Sequence, residues 1–123
     1  MSYGLRYENK MSNDLKAEGF SCIRSAASKG VDVVAWREDT KTYMIEVKAT
    51  RKLVPKAFTQ VIADTRLHAS PHRRTVLAIY IRGKLLWLWT DTMELNEERT
   101  TWDIDKARKW VSKRKFEPIL IFP

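Results

Sequence analysis

Asp32, Glu46 and Lys48 are the residues of this 123-residue chain whose types and spacing can do chemistry together. Glu46 and Lys48 sit in an apolar, alternating segment, Thr42 to Ala49. In an extended strand the side chains of Tyr43, Ile45, Val47 and Ala49 face one way, and those of Met44, Glu46 and Lys48 face the other. Asp32 lies near the start of a preceding apolar segment, Val31 to Trp36, and polar turn residues Arg37 to Lys41 join the two. A hairpin made of them carries the Asp32 carboxylate to Glu46, giving an acidic pair beside a lysine. Such a pair repels itself unless a proton or a cation relieves it. A hard divalent ion, Mg²⁺ with Mn²⁺ as a substitute, takes oxygen ligands: Asp32, Glu46, the Val47 carbonyl and a substrate phosphate complete a shell that keeps several waters. The ion acidifies water and neutralises charge on the phosphate, while Lys48 orients the attacking water or stabilises the transition state. Phosphodiester hydrolysis is the chemistry these parts support.

The competing reading is structural: Asp32 caps a loop, and Glu46 and Lys48 form an i, i+2 pair on a solvated face. The bare pattern D…E-x-K arises by chance in many charged chains. Its setting favours function, because both acids interrupt apolar runs, VDVVAW and YMIEVKA, where an unpaired charge is expensive.

The elements that must position these residues follow from periodicity. Tyr7, Met11 and Leu15 recur every four residues and Gly19 follows at a left-handed cap position, which predicts an amphipathic helix over 4–18. Phe20 to Ala26, Val31 to Trp36 and Thr42 to Ala49 predict three strands, the last two a hairpin. Pro55 suits the first turn of a second helix whose Phe58, Val61, Ile62 and Thr65 share a side, before Ser70 and Pro71 break it. Thr75 to Ile81 and Leu85 to Thr90 flank a glycine-bearing turn, Arg82 to Lys84. Thr100 and Asp103 have capping-box spacing ahead of a basic helix to about Lys115, and Pro118 to Phe122 reads as a final strand. The order is α-β-β-β-α-β-β-α-β in a single domain over 1–123. Its core covers 3–90 and an extension covers 91–123, set off by the polar stretch Asp91 to Thr100.

Composition narrows the partner. At 44% hydrophobic the chain can build one core. Its start has no signal-peptide pattern, and no apolar run reaches the roughly 18–20 residues of a membrane span, so a cytoplasmic protein is expected. Cys22, alone, makes neither a disulfide framework nor a cysteine-based zinc site, and its apolar segment suits an inert thiol. His68 and His72 are separated by Pro71 and do not read as metal ligands. The net charge of +8 favours a polyanion. Because the cations are scattered rather than gathered on one amphipathic helix, nucleic acid is preferred to a membrane. Arg24, Lys29, Arg51 and Lys52, with the late cluster Arg108, Lys109, Lys113, Arg114 and Lys115, can neutralise phosphates along a wide surface, which serves shape more than base reading. A solvated helix face is the alternative for the late cluster. Leu85 to Trp89 is apolar on both faces; either a second subunit covers one of them or the chain's own helices cover both.

The sequence EVK after GVDVVAW resembles the PD-(D/E)XK nucleases, whose αβββαβ core matches the predicted order. A helix bearing Glu8, then GF, IRSAASKGVDVV and IEVKAT, is similar to the archaeal Holliday junction resolvases over about residues 3–90, including viral members. The resemblance implies a restriction-endonuclease-like α/β fold with a mixed central sheet flanked by helices. It implies metal or catalytic roles for Glu8, Asp32, Glu46 and Lys48, with Arg24 and Ser28 assisting at the phosphate or catalytic loop. It also implies a Mg²⁺-dependent homodimer that nicks two opposed strands of a four-way DNA junction in recombination and repair. Taken alone, Glu8 reads as a surface residue, Arg24 as the holder of a neighbouring carboxylate, and Ser28, Lys29 and Gly30 as turn chemistry. The chain has Asn9 where the family often has arginine, and Ala27 where it has a loop glycine. Gln60 falls where related nucleases often place a glutamine or lysine, with a surface helix residue the plainer reading. Two rival functions stay open here: a nuclease of the same fold acting on flaps, single strands or duplex, and a non-catalytic basic DNA-binding module.

Overall fold

The structure is a computed structural model and describes residues 3–25, 31–38 and 40–92. It opens with helix α1, Tyr3–Ala17. Tyr7, Met11 and Leu15 form its buried stripe, as their four-residue spacing dictates. The helix stops because Gly19 turns left-handed, with φ +89°. The Gly19 N–H then donates to the Lys16 carbonyl at 3.0 Å and the Phe20 N–H to the Leu15 carbonyl at 3.0 Å, the paired bonds of a Schellman cap. Phe20 is thereby delivered into the same core as Leu15.

Strands β1 (Ser21–Arg24), β2 (Val33–Trp36), β3 (Thr42–Thr50), β4 (Arg73–Ile81) and β5 (Lys84–Trp89) form one sheet in the order β1-β2-β3-β4-β5. All neighbours are antiparallel except β3 and β4, which run parallel with Glu46 opposite Leu77. A parallel pair needs a crossover. Residues 51–72 supply it, with a 3-10 turn at Pro55–Phe58 followed by helix α2, Thr59–Arg66. The mixed sheet flanked by helices is the expected α/β architecture. Its boundaries differ locally: β1 and β2 are shorter than the apolar runs, so Asp32 precedes β2, and the expected second helix starts as a 3-10 turn. The helix and strand expected beyond Thr92 lie outside the described residues.

Two cores cover the two faces of the sheet. On the α1 side Tyr7 stacks on Tyr80 with ring centroids 4.5 Å apart, and Tyr43 meets Trp87 and Trp89 edge-on. On the α2 side Leu53 and Ile62 pack on Leu77, Ile79 and Leu86. Strand β5 therefore buries Leu85, Trp87 and Trp89 on one face and Leu86 on the other, with Leu88 half-buried. Beside α2, the hydroxyls of Thr65 and Thr75 each lie 2.7 Å from that of Thr90. Arg74 grips Asp91 through two bonds, at 2.9 and 3.0 Å, and stacks on Trp89. Asp91 is thus tied to β4, and the polar stretch read as an excursion starts on a residue that closes the sheet.

Helix α1 owes its end to one backbone conformation. Gly19→Ala leaves room for the added Cβ, whose nearest neighbour is the Arg37 Cδ at 3.9 Å. The expected loss is therefore conformational, about 1–2 kcal/mol. Urea denaturation measures it as a lower midpoint with unchanged slope, and an unmoved midpoint contradicts it.

Candidate active site

The antiparallel pairing of β2 and β3, with Val33 opposite Ile45, brings Asp32 to Glu46. Two bonds hold Asp32 there: its N–H donates to the Ile45 carbonyl at 2.8 Å, and its Oδ2 accepts from the Val47 N–H at 2.8 Å. A residue in an extended strand sends its N–H and C=O to the same side. The Val47 carbonyl accordingly faces the side from which Asp32 approaches, past the point where the β2 ladder begins. Asp32, Glu46 and that carbonyl are all oxygen donors, the set a hard cation prefers.

Glu46 is only 7% exposed. Burial, and then the negative charge of Asp32, push its carboxyl up to about 7; Lys48 opposes the rise. Lys48 Nζ lies 3.3 Å from Glu46 Oε1, while its own side chain remains 46% exposed. One ammonium does not offset both acids and the loss of water around them. A cation between Asp32 and Glu46 would relieve the same strain, and the site fits one on that ground.

Arg24 at the end of β1 donates to Glu8 Oε1 at 3.4 Å and to Asn9 Oδ1 at 3.2 Å. It holds a neighbouring carboxylate, the plainer of its two readings, and Asn9 gives it a second acceptor. Among the described residues no three His, Cys, Asp or Glu gather as a metal-binding group, and the contact the structure gives Glu8 is with Arg24. Ser28 and Lys29 lie outside the described residues. Arg51 and Lys52 are exposed just beyond β3. Gln60 is an exposed helix residue that donates to Asp64 at 3.0 Å. Cys22 is half-buried, and burial raises its thiol, as an inert cysteine requires. The Arg74–Asp91 clasp was not foreseen: its partners lie 17 residues apart, and no local pattern signals them.

Glu46 links pH to stability when divalent ions are absent. Its carboxyl titrates near 7 folded against an ordinary 4.5, so the native state binds the proton more tightly than the unfolded chain does. The stability this gives is complete below about pH 4.5 and is lost as pH rises through about 7. Glu46→Gln has no proton to lose and gains on the wild type across that window. Denaturation of both proteins at pH 5 and pH 8, with chelator, checks this; a pH-independent difference contradicts it.

The comparisons with known proteins bear on the fold and the family. The chain superposes on a solved structure of Archaeoglobus fulgidus Hjc, a Holliday junction resolvase from an archaeal hyperthermophile, with a TM-score of 0.73 and 21% identity, covering 96% of this chain and 95% of that one. That likeness shows the fold. Curated protein sequences give no significant match. The family model for the archaeal Holliday junction resolvases matches residues 1–112. No helix among the described residues is long and apolar enough to cross a membrane. With the family model spanning nearly the whole sequence, the chain belongs to the archaeal Holliday junction resolvase (Hjc) family, a family of nucleases.

Proposed function

We propose that this protein is a divalent-metal-dependent endonuclease that resolves four-way DNA junctions as a homodimer, each subunit hydrolysing one phosphodiester on opposed strands. The observation that carries the reading is Glu46, buried beside Asp32 and in contact with Lys48. Asp32, Glu46 and the Val47 carbonyl would hold Mg²⁺, or Mn²⁺ in its place. When bound, the ion supplies charge neutralisation at the phosphate and acidifies water beside it. Lys48, anchored at one end by Glu46 and open to solvent, presents its ammonium to the scissile phosphate and steadies the negative charge that builds there as water adds and a sugar oxygen leaves. The Val47 N–H keeps Asp32 aimed through this step. Arg24, oriented by Glu8 and Asn9, serves as a phosphate clamp, and Glu8 contributes to catalysis by placing it. Ser28 and Lys29 act from the connection between β1 and β2, while Arg51 and Lys52 track the DNA backbone. Two opposed cuts need two sites, which a two-fold dimer provides.

Asp32→Asn and Glu46→Gln are each expected to reduce junction cleavage about 100-fold or more while junction binding persists. Undiminished cleavage by either would falsify the assignment. Run beside linear duplex and flap DNA at one salt concentration, the same assay reads substrate choice. Paired nicks confined to the junction support resolution, and preferential cutting of flaps or duplex assigns another substrate. Light scattering at working concentration is expected to give twice the chain mass, and a monomer active on junctions contradicts the dimer.

A further inference from the structure

The β4–β5 hairpin is closed by two residues, Arg82 and Gly83, between the paired Ile81 and Lys84. Both have positive φ, 51° and 81°, the requirement of a type I′ turn, whose first position favours asparagine, aspartate or glycine. Arginine there costs stability, since a long side chain gains nothing from the left-handed region. Its presence calls for a benefit elsewhere.

The surroundings indicate that benefit. The Arg82 N–H points to the Thr50 carbonyl at 3.4 Å, and Thr50 is the register partner of Ile81. The hairpin tip therefore lies against the segment that leaves β3, which carries Arg51 and Lys52. Arg51, Lys52, Arg82 and Lys84 are all exposed. None forms an ion pair among the described residues, and neither 51–58 nor 81–84 contains an acid. Four like charges gathered at one end of a sheet repel one another unless an anion sits over them. Glu46 is four residues before Thr50 on the same strand, so the cluster begins about 13 Å from the acid pair. That reach matches about four nucleotides, at one phosphate per 3.4 Å along each strand.

We propose that Arg82 and Lys84 join Arg51 and Lys52 in a phosphate-binding cradle that grips one duplex arm of the substrate beside the cleavage site. This rests on the DNA-cleaving reading and adds the hairpin to its binding surface. The cradle contacts backbone phosphates only, so it raises affinity for junction and linear duplex alike and steepens the salt dependence without choosing a sequence.

Arg82→Asn separates this from a structural role, because asparagine suits the left-handed position better and leaves the turn intact. The variant is expected to unfold at equal or higher denaturant than the wild type, yet to bind both DNAs several-fold more weakly, with the slope of log K against log salt reduced by about 0.9. Arg82→Lys is expected to restore most of the slope. Unchanged affinity and slope in a folded Arg82→Asn overturn the proposal, even where wild-type cleavage upholds the nuclease reading. Wild-type protein that neither binds nor cuts DNA defeats that reading instead.

Discussion

Two carboxylates face each other at the mouth of an apolar hairpin, and much of the molecule is arranged to make them do so. Glu46 would be cheaper as a methionine or a leucine, given its burial and its place beside Leu77. Asp32 stays close because a backbone N–H on the next residue, Val47, binds it. The resulting strain is relieved only in part by Lys48, and further positive charge between the two acids would lower it. A site of this kind trades stability for readiness, as functional sites often do.

Its geometry depends on parts with no chemistry of their own. The α1 stripe and the Schellman cap at Gly19 fix one face of the sheet; α2 and its contacts through Ile62 fix the other. The parallel β3–β4 pairing anchors the strand that carries Glu46 and Lys48 along its full length, from Thr42 to Thr50. At the far end of β4, the Arg74–Asp91 clasp and the threonine trio close the sheet. Glu46 and Lys48 thus project from a strand paired with β4 over its whole length, where positions are held tightly.

Local signals were legible in the sequence, and non-local ones were not. The spacing of Tyr7, Met11 and Leu15 and the placement of Gly19 announced α1 and its end, because both effects act within one or two turns. Alternation placed Glu46 and Lys48 on one face of β3. The hairpin followed from the polar turn, and with it the approach of Asp32. By contrast, the apolar strand from Leu85 to Trp89 reads the same whether its covering is a second subunit or its own chain, because apolar character on both faces does not name what covers them. Both ends of β1 and the start of β2 lie one or two residues inside the apolar runs, since apolar character does not mark where a ladder stops. Arg24 carried two meanings in the sequence, and its contacts with Glu8 and Asn9 give it the first of its partners.

The direct test of the acid pair is a calorimetric titration of Mn²⁺ into the purified protein near pH 6, repeated in buffers of different ionisation enthalpy. A Glu46 carboxyl that titrates near 7 must give up its proton to hold the ion. The expected result is saturable uptake with a proton released, both abolished in Asp32→Asn. No uptake, or uptake that survives the substitution unchanged, contradicts a cation site between Asp32 and Glu46.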